Sequence, residues 1–418
     1  MKIEAAGKNI SGSVEAPASK SAMQRYVAGA LLARGESRIY SPTFCEDSKA
    51  AMSIAEALGA KIDRETDHVK ISGGFSPVSN KIFCGESGLA TRMFTPIAAL
   101  HNDVIVVDGK GSVLKRPLSM MESPLRELGA EVELQNGFLP MKVKGPIKGG
   151  HIHTDGSISS QFITGLLMAL SVVKNDSIIN VTKLTSKPYI DLTISVLNDF
   201  GIEVINNNYE RFDVKGNQKY RPGDYTVEGD WSGAAFLLVM GAIGGMSVVR
   251  NLNLNSVQAD KAIYDVIAKA GAFVSRSGNS VTVSKNELNP FNYDITDCPD
   301  LAPPIVVLAL ACTGKSIITG TERLKSKESD RGKALEETMT LLGGKVKNLG
   351  DSIEIEGDGN LQGGAADACN DHRIAMALAS ASLISKRPVI ISGMECINKS
   401  YPEFIEDFIK LGGQVKRL

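Results

Sequence analysis

The sequence predicts an α/β protein made of six copies of one unit, arranged as two domains of three copies each. Three observations lead to this fold class. A glycine phrase recurs at a near-constant interval, a helix-opening turn recurs at the same interval, and the last copy lacks a strand that the amino terminus can supply. The length of 418 residues agrees with a protein of two or three domains, at roughly 150 residues per domain.

The glycine phrase consists of an apolar or aromatic residue, glycine, a small or apolar residue, any residue and a β-branched residue, as in LGAKI from Leu58. It ends an amphipathic helix and begins a strand, because glycine is favoured just past a helix C-terminus. Consecutive copies are 69 to 72 residues apart. The six glycines are Gly59, Gly129, Gly201, Gly271, Gly343 and Gly412.

A second signal has the same period: polar or Gly/Ser-rich turns come directly before apolar, helix-like segments. The markers of the six turns are Ser21, Gly88, Ser159, Trp231, Asp300 and Asp371. Hairpin signals follow most of the glycine phrases, as in VSRSGNSVTVS at 274–284. Each unit is therefore predicted to have the order βαβαββ.

The domain organisation follows from the two ends of the chain. The sixth copy stops at Leu418, before its second hairpin strand, and the strand-like MKIEAAG at the amino terminus has no partner in its own copy. We expect the amino-terminal strand to complete the last copy, so that both termini lie in one domain. The expected domains are residues 1–18 with 229–418, and residues 19–228.

Composition excludes several classes of protein. The 46 Lys+Arg and 47 Asp+Glu give a net charge of −1, and only 6% of the residues are aromatic, which disfavours nucleic-acid binding. No apolar stretch approaches the roughly 20 residues that cross a membrane, and the first residues are unlike a targeting peptide. Six scattered cysteines without a C-x-x-C pair disfavour disulfides and zinc. We expect a cytoplasmic monomer that binds small molecules.

Two kinds of cofactor site are also disfavoured. No GxGxxG or GxxxxGK[ST] follows a predicted strand, which argues against dinucleotide and P-loop chemistry. His151 and His153 share one face of a predicted strand, but no third ligand accompanies them, so no metal site is expected.

Basic and hydroxyl side chains recur at the predicted helix starts, where free N–H groups attract anions. Any one of these groups alone would more often be a helix cap or a solvated charge cluster. Their recurrence at equivalent positions indicates binding of small, multiply charged anions. Asp300 and Glu328 lie among these cations, either as salt-bridge partners or as proton-transfer groups, and the residues alone leave both readings open.

Nine segments, in order along the chain, resemble the motifs of the 5-enolpyruvylshikimate-3-phosphate (EPSP) synthase family. They are PASKSAMQR (17–25), GESGLATR (85–92), LKRPL (114–118), DGSISSQF (155–162), SKPYID (186–191), VEGDWS (227–232), PDLAP (299–303), KESDR (327–331) and NDHR (370–373). The resemblance implies a two-domain inside-out α/β barrel, with three repeats per domain that close around substrate. It implies transfer of the enolpyruvyl group of phosphoenolpyruvate to the 5-hydroxyl of shikimate 3-phosphate, with release of phosphate and without a metal or organic cofactor.

The resemblance also assigns site residues. The catalytic residues would be Asp300, Glu328 and Lys20. The shikimate 3-phosphate site would contain Lys20, Ser21, Arg25, Ser159, Ser160, Gln161, Ser186, Tyr189, Asp300 and Lys327. The phosphoenolpyruvate site would contain Lys20, Gly88, Arg116, Gln161, Arg331, Arg373 and Lys399.

Four positions depart from the family pattern. Glu86, Leu89 and Met93 stand where Asn, Thr and Pro are common, on the phosphoenolpyruvate side where glyphosate also binds, so we expect altered glyphosate sensitivity. A carboxylate at Glu86 is unexpected beside an anion unless it pairs with a neighbouring Arg. Arg323 falls about where an Asn usually contacts shikimate 3-phosphate.

Three other functions fit the sequence less well. The sister enzyme that transfers enolpyruvyl to UDP-N-acetylglucosamine often has a reactive Cys before the LKRPL-like segment, and GKGSVLKR (109–116) has none. An RNA-end-processing protein with similar repeats would need a basic stripe and stacking aromatics. A non-catalytic clamp would not need Asp300 and Glu328 among cations.

Overall fold

The computed structural model describes residues 1–7 and 9–418, and over these residues it contains 24 β-strands and twelve α-helices. In chain order the strands are β1 (Lys2–Ala6), β2 (Ile10–Glu15), β3 (Gly35–Tyr40), β4 (Lys61–Arg64), β5 (His68–Gly73), β6 (Lys81–Phe83), β7 (Val104–Asp108), β8 (Glu131–Gln135), β9 (Phe138–Lys144), β10 (His151–Asp155), β11 (Ser177–Thr182), β12 (Val204–Asn207), β13 (Arg211–Val214), β14 (Asp224–Thr226), β15 (Gly245–Arg250), β16 (Phe273–Ser277), β17 (Ser280–Ser284), β18 (Asn292–Asp294), β19 (Thr313–Thr319), β20 (Lys345–Asn348), β21 (Ser352–Asp358), β22 (Gly364–Asp367), β23 (Val389–Ser392) and β24 (Gln414–Arg417). The helices are α1 (Lys20–Leu32), α2 (Glu46–Ala57), α3 (Gly88–Ala98), α4 (Glu122–Glu127), α5 (Ser160–Leu170), α6 (Lys187–Asp199), α7 (Trp231–Gly244), α8 (Ile263–Lys269), α9 (Ala302–Ala311), α10 (Arg331–Leu341), α11 (His372–Ala381) and α12 (Phe404–Lys410).

The chain divides into two compact units. Unit 1 comprises Met1–Pro17 and Glu228–Leu418, and unit 2 comprises Ala18–Val227. Each boundary lies one residue before the one expected from the repeats. Each unit has its own hydrophobic core.

Each unit contains three four-stranded sheets, and all six sheets have the same arrangement. In β6-β7-β9-β8, for example, β6 and β7 are parallel, and β9 pairs antiparallel with both β7 and β8. The other sheets of unit 2 are β14-β3-β5-β4 and β10-β11-β13-β12, and those of unit 1 are β2-β15-β17-β16, β18-β19-β21-β20 and β22-β23-β1-β24. The predicted α/β class with βαβαββ repeats is confirmed.

The amino-terminal strand β1 lies inside the last sheet of unit 1. Ile3 is opposite Ile391 of β23 on one side and opposite Arg417 of β24 on the other, antiparallel to both. It occupies the position that a second hairpin strand takes in the other five sheets. Residues near both ends of the chain therefore belong to one sheet.

The six repeated glycines all have positive φ angles, between +76° and +109°. Gly59 shows the reason, because it lies between the end of α2 and the start of β4 with φ +109°. A Cβ at Gly59 would lie 2.3 Å from the carbonyl oxygen of Ser76. The recurring phrase therefore marks a turn in which other residues would be strained.

One helix from each repeat is buried almost all round. In unit 1 these inner helices are α7, α9 and α11, which pack against one another, and α7 buries 13 of its 14 residues. In unit 2 they are α1, α3 and α5, and α3 buries all 11 of its residues. Apolar segments such as WSGAAFLLVMGAIG are suited to this position, because a helix that is hydrophobic on every side must be buried.

Five of the six inner helices begin with a Ser or Asp side chain that accepts a backbone N–H of the first turn; the five caps are Ser19, Ser87, Ser159, Asp230 and Asp371. The sixth helix, α9, follows a 3₁₀ turn at Pro299–Leu301. Within the described ranges, no helix combines the length and apolar character that a membrane crossing requires.

Candidate active site

In unit 1, the starts of three helices bring acids and arginines together. The 3₁₀ turn before α9 presents Asp300, α10 begins at Arg331, and α11 is capped by Asp371, whose Oδ1 accepts the backbone N–H of Arg373 at 2.9 Å. These positions are separated by 31 to 73 residues in the sequence. The repeated helix starts therefore assemble one charged group of side chains.

The guanidinium of Arg331 is the centre of this group. It is 0% exposed and donates to three carboxylates. Nη1 lies 2.8 Å from Asp300 Oδ1, Nη2 lies 2.6 Å from Glu328 Oε2, and Nε lies 3.0 Å from Asp371 Oδ2. Burial alone would lower the pKa of Arg331, but the three carboxylates raise it, so the side chain is permanently charged.

Asp300 accepts from two further cations. Lys327 Nζ lies 3.1 Å from its Oδ1, and Arg373 Nη2 lies 3.0 Å from its Oδ2. Burial would raise the pKa of Asp300, but the charges of Arg373, Lys327 and Arg331 together hold it well below the ordinary value. Asp300 is therefore ionised near neutral pH, and 19% of its side chain remains exposed for a ligand.

At Lys327 the effect of burial on the pKa outweighs the effect of the neighbouring opposite charge. Burial lowers the pKa of its ammonium group to about 8, even though the charge of Asp300 raises it. The nearby charge of Arg323 contributes to the lowering. Arg323 therefore adds to the positive charge that Arg331 already places near Lys327.

Lys399 completes this side of the site. It ends the 3₁₀ turn at Met394–Lys399, and its Nζ donates to the carbonyl oxygen of Asn370 at 2.6 Å, next to the cap of α11. We call the whole group the acid–arginine cluster. Its members are Asp300, Lys327, Glu328, Arg331, Asp371, Arg373 and Lys399.

Asp260 lies beside this cluster and carried no signal in the sequence. It is 1% exposed, its Oδ2 accepts from the hydroxyl of Ser232, and its Oδ1 has no hydrogen-bond partner among the described residues. Burial first, and the charge of Asp300 second, raise the pKa of Asp260 to about 7. Ser232 was within reach of sequence reasoning, because it belongs to the VEGDWS segment.

In unit 2, the start of α1 carries a paired lysine. Lys20 is the first residue of α1, and its Nζ lies 3.0 Å from Asp47 Oδ2 of α2. Both side chains are mostly buried, with exposures of 14% and 11%. The ammonium group is thus held at the helix start, where an anion would meet both its charge and the helix N–H groups.

Arg25 ties the inner and outer helices together. Its Nε donates to Thr193 Oγ1 at 2.9 Å, its Nη1 to the carbonyl of Ser21 at 2.7 Å, and its Nη2 to the carbonyl of Tyr189 at 3.2 Å and to Thr164 Oγ1 at 3.5 Å. These contacts use four of the five N–H groups of the guanidinium. Burial lowers the pKa of Arg25 to about 10, which still leaves it charged at neutral pH.

A second group of donors lies at the starts of α3 and α5. Arg92 Nη1 donates to Gln161 Oε1 at 2.9 Å, and Arg92 Nη2 to the carbonyl of Pro117 at 3.3 Å. A Cβ at Gly88 would lie 2.3 Å from Arg116 Nη1, so Arg116 rests against the backbone at the helix start. Arg92 was missing from the sequence assignments, although it follows Gly88 at the interval that separates Ser21 from Arg25.

The hydroxyl residues of unit 2 lie at the starts of α5 and α6. Ser159 caps α5, Ser160 is its first residue, and both are buried. Ser186 precedes α6 with φ +56°, an uncommon backbone conformation for a residue other than glycine, and such strain is concentrated at functional sites. The backbone N–H of half-buried Tyr189 donates to the carbonyl of Ser186 at 3.1 Å.

The departures in GESGLATR have clear positions. Glu86 Oε2 lies 3.2 Å from both the backbone nitrogen and the hydroxyl of Ser112. Leu89 and Met93 are buried in α3.

Within residues 1–7 and 9–418, no three His, Cys, Asp or Glu side chains form a group that could hold a metal ion.

The comparisons with known proteins agree on one family. The family model described as EPSP synthase (3-phosphoshikimate 1-carboxyvinyltransferase) matches residues 5–408. The chain is 38% identical over 416 residues to the 3-phosphoshikimate 1-carboxyvinyltransferase of Clostridium novyi (strain NT), covering 97% of this chain and 96% of that protein. It is 40% identical over 412 residues to that of Clostridium perfringens (strain ATCC 13124), covering 97% of each. An EPSP synthase structure from Acinetobacter baumannii matches with a TM-score of 0.84 at 24% identity, covering 100% of both chains, which shows a shared fold.

Proposed function

The chain belongs to the EPSP synthase (3-phosphoshikimate 1-carboxyvinyltransferase) family, and from this premise we propose how its own residues transfer an enolpyruvyl group from phosphoenolpyruvate to the 5-hydroxyl of shikimate 3-phosphate. One observation carries the proposal: Asp300 and Glu328, the two candidate proton-transfer groups, are bound to the same buried guanidinium. That arrangement supports an acid and a base acting on neighbouring atoms of one substrate pair.

Asp300 acts as the base in the addition step. It orients the 5-hydroxyl and accepts its proton as the oxygen attacks C2 of phosphoenolpyruvate. Because three cations lower its pKa, Asp300 is ready in the ionised form, and the proton moves only as the attack develops. Arg373, Lys327 and Arg331 also stabilise the negative charges of the substrates.

Glu328 acts as the acid. It delivers a proton to the methylene carbon of phosphoenolpyruvate, which gives a tetrahedral intermediate. Glu328 is paired with Arg331, and an anionic substrate group that competes for this guanidinium weakens the pair, so that Glu328 takes up a proton from solvent before the addition step. In the elimination step Glu328 takes a proton back from the methyl group, and the proton held by Asp300 leaves with phosphate. Protons and electrons therefore balance over the cycle.

Two overlapping sets of residues are proposed to bind the two substrates. For phosphoenolpyruvate the proposed residues are Lys20, Gly88, Arg116, Gln161, Arg331, Arg373 and Lys399. For shikimate 3-phosphate they are Lys20, Ser21, Arg25, Ser159, Ser160, Gln161, Ser186, Tyr189, Asp300 and Lys327. Arg25 has one N–H left for a ligand after its four internal contacts, so its main effect is to order Ser21 and Tyr189.

The same proposal places the enzyme in the cytoplasm, in the pathway to the aromatic amino acids, acting as a monomer. Lys20 is the third catalytic candidate, and its pairing with Asp47 supports a role in positioning charge at the reacting phosphate.

The deciding experiment is phosphate release from phosphoenolpyruvate with either shikimate 3-phosphate or UDP-N-acetylglucosamine as the acceptor. We expect release that depends on shikimate 3-phosphate, in buffer treated to remove metal ions. Release only with the nucleotide sugar would assign the chain to the sister activity. No release with either acceptor would refute the proposal.

A further inference from the structure

Glu86 is the residue whose chemistry the proposed function does not use. It lies in the four-residue link Gly85–Gly88, which leads from β6 into α3 and which we call the GESG link. Its half-buried carboxylate accepts from both the backbone N–H and the hydroxyl of Ser112, each at 3.2 Å. A carboxylate acceptor makes stronger hydrogen bonds than a neutral amide would.

Each residue of the GESG link contacts a different neighbour. The carbonyl of Gly85 accepts the backbone N–H of Lys110 at 2.8 Å. Ser87 caps α3 and donates its hydroxyl to Gln24 Oε1 of α1 at 3.1 Å. The contacts of Gly85 and Glu86 attach the segment at 110–112 to the start of α3, and the contact of Ser87 attaches the start of α3 to α1.

The backbone at Gly111 packs closely against the carboxylate of Glu86. Gly111 has φ +60°, and a Cβ there would lie 2.5 Å from Glu86 Cδ. The backbone of this segment thus approaches the carboxyl group as closely as only glycine allows. Gly111 also begins the 3₁₀ turn Gly111–Lys115, and Arg116 follows it directly.

The position of this turn sets the position of the Arg116 guanidinium. Arg116 Nη1 lies against the backbone of Gly88, at the other end of the GESG link. The GESG link therefore binds the 3₁₀ turn at Ser112 through Glu86, and it contacts the Arg116 side chain at Gly88. A movement of the turn away from Glu86 would carry Arg116 with it.

We propose that Glu86 is a positioning residue, which holds the 3₁₀ turn so that Arg116 lies at the start of α3 and binds phosphoenolpyruvate. The assignment of Arg116 to phosphoenolpyruvate rests on the proposed function. Glu86 supplies a charged acceptor for the two hydrogen bonds that fix the turn. It acts through Ser112 and Arg116.

The test compares four variants by steady-state kinetics in both substrates. Glu86→Ala loses both bonds and raises the KM for phosphoenolpyruvate about tenfold, while kcat and the KM for shikimate 3-phosphate stay within about twofold of wild type. Glu86→Gln keeps an acceptor oxygen and recovers most of the affinity. Ser112→Ala loses one of the two bonds and shows a smaller rise. Glu133→Ala removes an exposed glutamate paired with Lys142 and serves as the unaffected control.

A second measurement reads the turn itself. Hydrogen exchange in residues 109–116 is expected to be faster in Glu86→Ala than in wild type, with the rest of unit 2 unchanged. Unchanged exchange, an unchanged KM for phosphoenolpyruvate, or an equal rise in both KM values would overturn the proposal. If Glu86→Ala does not fold, Glu86→Gln and Ser112→Ala decide by the same criteria.

The failure of this inference is distinguishable from failure of the proposed function. A wild-type protein without transfer activity refutes the proposed function. The exchange rates at 109–116 in Glu86→Ala would then still show whether Glu86 holds the turn.

Discussion

Arg331 Nη1 lies 2.8 Å from Asp300 Oδ1 inside unit 1, and the same guanidinium binds Glu328 through Nη2 at 2.6 Å. One cation thus links the two carboxylates to which the proposed reaction assigns opposite proton transfers. Because Arg331 is fully buried, its charge is poorly screened and holds both carboxylates in fixed positions. This relationship makes the two acids members of one buried ion-paired group and not two separate surface charges.

Replacing Asp300 by Asn tests the proposed base. The amide keeps the shape of the side chain but cannot take up a proton, so kcat should fall by about two to four powers of ten while both KM values change little. Asp294→Asn is the matched control, because Asp294 is an exposed carboxylate six positions away. Near-normal turnover in Asp300→Asn would remove this residue from the mechanism.

Replacing Gly88 by Ala tests the contact between α3 and Arg116. The added Cβ would lie 2.3 Å from Arg116 Nη1, so the guanidinium must move. Displacing one charged hydrogen-bond donor should raise the KM for phosphoenolpyruvate about tenfold or more, with the KM for shikimate 3-phosphate little changed. Gly150→Ala is the control, since its Cβ would meet nothing within 4 Å. Equal effects of the two substitutions would contradict the geometry.

The pH dependence of activity should report Lys327. Burial lowers its pKa to about 8, so the ammonium form, which we propose binds shikimate 3-phosphate, predominates below that pH and is lost as the pH rises above it. The kcat/KM for shikimate 3-phosphate should therefore decline on the alkaline side with an apparent pKa near 8. Lys327→Arg stays protonated and should move this decline to higher pH. An identical decline in both proteins would assign it to another group.

Asp260 should make stability depend on pH. Its pKa in the folded protein is about 7, above the ordinary value of 3.8, so folding favours the protonated form. The folded state is then most favoured below about pH 4, and that advantage is lost as the pH rises through 7. Asp260→Asn removes the titration, so its Tm should exceed that of wild type more at pH 8 than at pH 4. A constant difference between the two proteins would show that Asp260 does not titrate in this range.

Much of the fold was predictable because it depends on local geometry repeated six times. The turn between helix and strand at Gly59 has a positive φ angle, which favours glycine. The recurrence of glycine at this point in all six copies indicates such a turn. The helix starts were equally clear, because Ser and Asp caps satisfy backbone N–H groups within three residues. The apolar composition of a helix such as α7 is by itself typical of a buried helix.

The individual contacts of the site were not predictable in the same way. Arg25 has the sequence features of an anion ligand, yet four of its five N–H groups bind Thr193, Ser21, Thr164 and Tyr189. Whether a cation binds a substrate or the protein depends on which helices pack around it. Nothing in the sequence near Asp260 distinguishes it from an exposed aspartate.

The six repeats, the α/β class and the helix starts at which charged residues gather can therefore all be inferred from the order of the residues. These features follow from backbone conformation and capping, which act over a few residues. The folded chain is needed to show that Arg331 binds Asp300, Glu328 and Asp371, and that Glu86 accepts hydrogen bonds from Ser112. The reason is that hydrogen bonds and pKa shifts depend on distances of about 3 Å and on burial, which the packing of distant segments sets.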